Sequence, residues 1–118
     1  MKKPRYGKMK KEWKNKWVKA LRSWKYEQTG DNLMDMYDGE RRYCCLGVLE
    51  EVVRGRPITV RQGLECFPAD LITKKVMVAK SYDCDEDGYL EVYKKCATLN
   101  DENKLSFKRI AAWIEKNL

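Results

Sequence analysis

Three groups of side chains in this sequence have the type and spacing that chemistry uses. Asp83-x-Asp85-x-Asp87-Gly88 has the carboxylate spacing of the first half of a calcium loop, in which alternate residues turn inward and the glycine permits the sharp turn. Leu90 and Glu91 suit the positions that follow, but Lys94 stands where such a loop needs a bidentate carboxylate. An acidic hairpin turn is the competing reading. The second group is Cys44-Cys45 beside Arg41 and Arg42, since a thiol in positive surroundings loses its proton and becomes a nucleophile. In an alternating strand one of the two cysteines faces the core and the other the opposite side, so at most one is a candidate, and burial is the simpler expectation. The third group is basic. Lys8, Lys10, Lys11 and Lys14, together with Arg41, Arg42 and Tyr43, supply cations for phosphate oxygens and a ring for stacking.

Other chemistries have fewer footholds. The chain contains no histidine, which removes the usual general base and the Ser-His and Cys-His pairings. No glycine-rich loop precedes a helix to cradle a phosphate, and five cysteines without a Cys-x-x-Cys pair argue against a zinc site of common spacing. Asn100-Asp101 is polar, yet such residues before a helix ordinarily terminate a strand and turn the chain. No catalytic residue, metal or cofactor is therefore expected. Cys44, Cys45, Cys66 and Cys96 are expected as small buried hydrophobes.

The charge is uneven. Residues 1–25 hold eleven Lys or Arg against one acid, Glu12, whereas the other 93 residues carry 14 basic and 17 acidic groups. The net charge of +7 thus belongs to the N-terminal segment, whose positive potential can attract nucleic acid, a nucleotide or an acidic protein face. A solvated helix surface that maintains solubility is the plainer alternative. No apolar run approaches 18 residues and no apolar segment follows the basic start, so neither a membrane span nor a signal peptide is expected.

The elements that would position these groups follow from periodicity. A chain of 118 residues is one domain, able to bury roughly two-thirds of its unfolded surface. Residues 1–7 read as a flexible basic arm and 8–118 as the folded domain. Trp13, Trp17, Ala20, Leu21 and Trp24 recur at helical spacing, which predicts an amphipathic helix from about 9 to 26 with a tryptophan stripe. Leu33–Tyr37 and Glu40–Cys45 flank Asp38-Gly39, a hairpin signal. Cys45, Leu46, Leu49, Val52 and Val53 then resume the helical period until Gly55-Arg56-Pro57 stops it. Gly47 weakens that helix unless it lets another element pack closely. Ile58–Val60 reads as a short strand, Pro68-Ala69-Asp70-Leu71 as a helix start leading to a strand near Val76–Val78, and Tyr89–Tyr93 as a strand. Phe107, Ile110, Ala111, Ile114 and Leu118 mark a terminal helix capped by Ser106. The fold class is α+β, with two or three helices packed on a small antiparallel sheet.

Two stretches carry a family resemblance. Tyr43-Cys44-Cys45-Leu46-Gly47-Val48-Leu49, and Leu99-Asn100-Asp101 followed by Ser106-Phe107 and Ile110-Ala111 in the last helix, resemble small proteins encoded in phage and prophage genomes. The likeness extends to Trp17–Ser23 with Lys25-Tyr26. Similar proteins usually have Gly where this chain has Trp24, and often a third cysteine where it has Glu50. The family offers no functional residue to carry over. What the resemblance implies is origin, a phage accessory protein in the bacterial host cytoplasm. From origin and charge together, the expectation is a non-catalytic protein that counters host defence by binding a signalling nucleotide or a host defence protein through a basic surface. The alternative is a nucleic-acid-binding protein using its N-terminal basic helix. The sequence leaves a homo-oligomer open.

Overall fold

The computed structural model describes residues 6–79, 81–82 and 90–118, and within them an α+β fold. Helix α1 (Lys11–Arg22) is followed by β1 (Glu27–Gln28), the hairpin β2 (Asn32–Tyr37) and β3 (Glu40–Tyr43), and α2 (Cys45–Arg54). Then come β4 (Gln62–Gly63), a 3-10 turn at Leu64–Cys66, and helices α3 (Ala69–Val76), α4 (Glu91–Asp101) and α5 (Phe107–Asn117). The described residues thus hold five α-helices, more than the two or three expected. The sheet runs β1-β3-β2-β4 and is mixed rather than wholly antiparallel, because β1 pairs parallel to β3. Among the described helices none is long and apolar enough to cross a membrane.

Local chemistry accounts for most of these elements. Asp38 and Gly39 both adopt positive φ, 52° and 81°, and set the hairpin register that pairs Tyr37 with Glu40 and Met34 with Tyr43. Gly55 ends α2 in the left-handed conformation, and its N–H donates to the Glu51 carbonyl. At the start of α5 the Ser106 hydroxyl accepts from the Arg109 N–H.

Helix α2 occupies the centre, with α1, α3, α4 and the β2–β3 hairpin packed round it. Its close seat on β2 depends on Gly47: an added Cβ would overlap the Leu33 carbonyl oxygen. That carbonyl also accepts from the Cys44 N–H at 3.2 Å, so strand and helix are joined where they touch. Trp17, 1% exposed, reaches across from α1 and its indole N–H donates to the Cys45 carbonyl at 2.9 Å.

Several sequence expectations need correction. The described part of the expected Tyr89–Tyr93 strand, from residue 90, is no strand: residues 91–101 form α4, whose buried Val92, Tyr93, Cys96, Leu99 and Asn100 follow the helical period. Ile58–Val60 forms no strand, and after α3 the chain makes a single antiparallel bridge, Met9 with Met77. Cys66 is exposed, not buried. Cys44 and Cys45 do not alternate across a strand, because the helix begins between them and both are fully buried. The tryptophan stripe ends early, since α1 stops at Arg22 and Trp24 is 92% exposed with φ 64°.

Asn100 is no helix-preceding turn residue but a buried hydrogen-bonding hub. Its carbonyl oxygen accepts from the Gln28 side chain at 2.9 Å and from the Cys45 N–H at 3.2 Å. Its amide donates to the Thr29 carbonyl at 2.7 Å and to the Asp101 carboxylate at 2.8 Å. One side chain thereby ties α4 to β1 and to the first turn of α2. Gln28 extends the network by donating to the Leu105 carbonyl and accepting from the Phe107 N–H.

Candidate anion-binding groove

The residues expected to bind an anion fall into separate places. Lys8 and Lys10 are exposed on the segment before α1, whose backbone bonds to the last residue of α3 and the chain just after it: Lys10 N–H donates to the Val76 carbonyl and Val78 N–H to the Lys8 carbonyl, both at 2.7 Å. Lys11 opens α1 and is exposed. Lys14 Nζ donates to the Leu118 carbonyl at 3.4 Å. Strand alternation divides the other three. Arg42 points to the face of Asp35, its cross-strand partner, with Nε 3.0 Å from the carboxylate and its guanidinium 4.7 Å from the Tyr37 ring centroid. Arg41 and Tyr43 turn to the opposite face.

On that face lies a groove formed between α1, the hairpin and the end of α2. One half is lined by Lys16, Lys19, Ala20, Ser23, Val52, Gly55 and Arg56, and the other by Glu27, Met36, Gly39, Glu40, Arg41 and Tyr43. Lys25, Tyr26, Glu51 and Pro57 line both. The halves are open depressions of about 490 and 570 Å³, volumes in the range of small-ligand sites. None of Lys8, Lys10, Lys11 and Lys14 lines either half.

The groove is organised round two tyrosines and one carboxylate. Tyr26 and Tyr43 meet edge to face at 5.0 Å, and the Tyr26 hydroxyl donates to Glu51 Oε1 at 3.4 Å. Glu51 Oε2 accepts from the Ile58 N–H, which anchors the chain leaving α2. Burial pushes the Tyr43 hydroxyl up to about 12, with Glu51 adding to the rise and Arg41 opposing it. Tyr26 is raised for the same first reason, burial, and then by Glu51. Both rings are therefore neutral near pH 7. The first half carries Lys16, Lys19, Lys25 and Arg56 against Glu51 alone, a balance of +3 over a floor that includes Ala20, Val52 and Pro57.

The sequence reading missed Lys16, Lys19, Lys25, Tyr26, Glu51 and Arg56. Lys16, Lys19 and Ser23 share one helical face at spacings of three and four, a signal present in the sequence but masked by the even spread of lysines round α1.

The Cys44-Cys45 pair is not a reactive site. Burial raises Cys44 and Cys45 well above the ordinary thiol range, the second also through contact with Cys96. Cys45 Sγ donates to the Cys96 carbonyl at 3.4 Å, as a packed thiol does. Among the described residues no three His, Cys, Asp or Glu side chains are grouped to hold a metal. The Asp83, Asp85 and Asp87 loop lies outside the described residues.

Fold and groove together define a small α+β protein with a tyrosine-lined cleft that is basic in one half and carries Lys25 and Arg41 against Glu27, Glu40 and Glu51 in the other. Residues 9–90 match the family described as a domain of unknown function (DUF8296), and the chain belongs to that family. The matched span runs from before α1 to the start of α4 and includes every groove residue. Neither curated proteins nor solved structures give a match.

Proposed function

We propose that this is a non-catalytic phage accessory protein that counters host defence in the bacterial cytoplasm by holding an anionic, ring-bearing ligand of the signalling-nucleotide class in the groove. The observation that carries the reading is the set Lys16, Lys19, Lys25 and Arg56 round an apolar floor beside Tyr26. Cations at the sides favour phosphate, while the floor and ring favour a base. The phage origin rests on the resemblance of the Tyr43–Leu49 and C-terminal segments. The non-catalytic character rests on the lack of histidine and on the Cys44 and Cys45 thiols being kept protonated by burial.

Two other occupants fit the same charge, an acidic face of a host defence protein and nucleic acid. Nucleic acid is favoured by one observation, the adjacent exposed Lys8, Lys10 and Lys11 away from the groove. A thermal-shift and calorimetry panel of cyclic di- and trinucleotides, ADP-ribose and short DNA and RNA, at low and moderate salt, separates these. The groove reading expects saturable one-to-one binding of a nucleotide, lost in Lys19→Glu and Arg56→Glu. At a hundredfold excess over Kd such a ligand adds about 2.7 kcal/mol of stability. Binding of every nucleic acid with a steep salt dependence, lost instead in a Lys8, Lys10 and Lys11 charge reversal, overturns it in favour of a backbone binder.

A further inference from the structure

We infer that Trp24 is the residue that stacks on the ring of the bound ligand, and that the groove takes a nucleoside diphosphate with its phosphates toward Lys16, Lys19 and Arg56 and its base toward Trp24 and Tyr26; this rests on the nucleotide reading of the groove.

Two features of Trp24 have no use in the fold. It is 92% exposed, while Trp17 is buried in the core and Trp13 is packed against it. It follows the last cap residue of α1, Ser23, in the left-handed conformation with φ 64°, the position where glycine is unstrained and a bulky side chain is not. Strain of this kind, held on a large apolar side chain that contacts little, is characteristic of binding sites. Its location gives that strain a purpose: its neighbours Ser23 and Lys25 both line the groove, which sets Trp24 beside it, with the exposed indole outside the lining and open to a ligand that extends from the groove. Lys25 Nζ lies 5.6 Å from the Tyr26 ring centroid, which places a cation and a second aromatic ring at the same end.

The groove is ordered along its length. Lys16 and Lys19 are one turn apart on α1 and Ser23 is one turn further on, about 5 Å per step. Lys16 and Lys19 therefore come first, with Arg56 from beyond the end of α2, and the rings come last together with Lys25. The three cations Lys16, Lys19 and Arg56 suit a diphosphate better than a single phosphate.

The test is calorimetry with ADP and with inorganic pyrophosphate on the wild-type chain and on Trp24→Gly, Trp24→Phe and Lys19→Glu. Wild type is expected to prefer ADP over pyrophosphate. Trp24→Gly should lose about tenfold in ADP affinity, the scale of one base–aromatic stack, and keep its pyrophosphate affinity. Trp24→Phe should retain most of the ADP preference. Because glycine is unstrained at this φ, the unfolding midpoint of Trp24→Gly should not fall, so a loss of binding is not a loss of folding. ADP binding by Trp24→Gly equal to wild type, with binding lost in Lys19→Glu, overturns the role of Trp24 and leaves the groove standing. Wild-type affinity for both probes in Lys19→Glu, or no binding of either probe by wild type, overturns the groove reading as well.

Discussion

Replacing Gly47 by alanine tests the packing on which the hairpin and α2 depend, because two effects of opposite sign meet there. In an exposed helix interior alanine is favoured over glycine by about 1 kcal/mol. Here the added methyl would overlap the Leu33 carbonyl oxygen and come within 2.8 Å of its carbon and 3.4 Å of its Cα. Overpacking costs about 1–3 kcal/mol, and the upper end applies where the obstacle is backbone rather than a side chain that can turn away. The Leu33 carbonyl is moreover held by the Cys44 N–H, so moving it weakens a hydrogen bond worth about 1 kcal/mol. The collision outweighs the propensity gain, and Gly47→Ala should lose about 2–3 kcal/mol. That corresponds to a fall in melting temperature of roughly 10 °C for a chain of this size. Urea titration followed by far-UV circular dichroism, with equal slopes for both proteins, is the assay. Gly55→Ala is the control: its φ is 71° with nothing within 4 Å of an added Cβ, so it should lose only about 1 kcal/mol through backbone strain. Gly47→Ala as stable as wild type, or no less stable than Gly55→Ala, refutes the close approach of α2 to β2.

Further outcomes follow from the buried polar groups. Asn100→Ala should cost about 2–4 kcal/mol in urea titration, because it leaves the Cys45 N–H and the Thr29 carbonyl without partners inside the fold. Burial acts to raise Asp35, but hydrogen bonds from Thr29, Arg42 and Asn32 outweigh it and its net shift is downward. Its contribution to stability is thus complete above the unfolded carboxylate pKa and lost as pH falls through the lower folded value, and Asp35→Asn should abolish that part of the acid limb. Glu50 behaves oppositely: it is 3% exposed with Oε1 unpartnered, and burial raises it despite Arg54 at 3.5 Å. Its contribution is present below the unfolded pKa and lost as pH rises through the folded one. Glu50→Met should therefore stabilise the protein by about 1 kcal/mol at pH 7 and less in acid, as read from urea midpoints at both pH values.

Local signals in the sequence were legible where the structure obeys local rules. Asp38-Gly39, Gly55 and Ser106 each act through backbone geometry within a few residues, and each appears as expected. Helix α4 escaped because its beginning, Leu90 to Tyr93, is rich in strand-favouring residues, while the period that identifies it needs Cys96, Leu99 and Asn100 as well. Trp24 fits the spacing of Trp17 and Leu21, and nothing in that spacing says that the helix has already ended. Asn100 was misjudged because its partners are at Gln28, Thr29 and Cys45, more than fifty residues away in the chain.

The groove was hidden for a different physical reason. Its cations come from three segments, 16–25, 41 and 56, which only the fold brings to one face. The lysine-rich start suggested that charge density marks the site, yet a helix distributes consecutive lysines round its whole circumference. On α1 Lys14 turns toward the chain end at Leu118, Lys11 lies in solvent, and Lys16 and Lys19 line the groove. Recognition depends on which cations converge on an apolar floor, and here Lys16 and Lys19 are completed by Arg56, contributed from beyond the glycine that ends α2. Net charge can bring an anion to such a surface; it is the convergence of these few side chains with Tyr26 that can hold one.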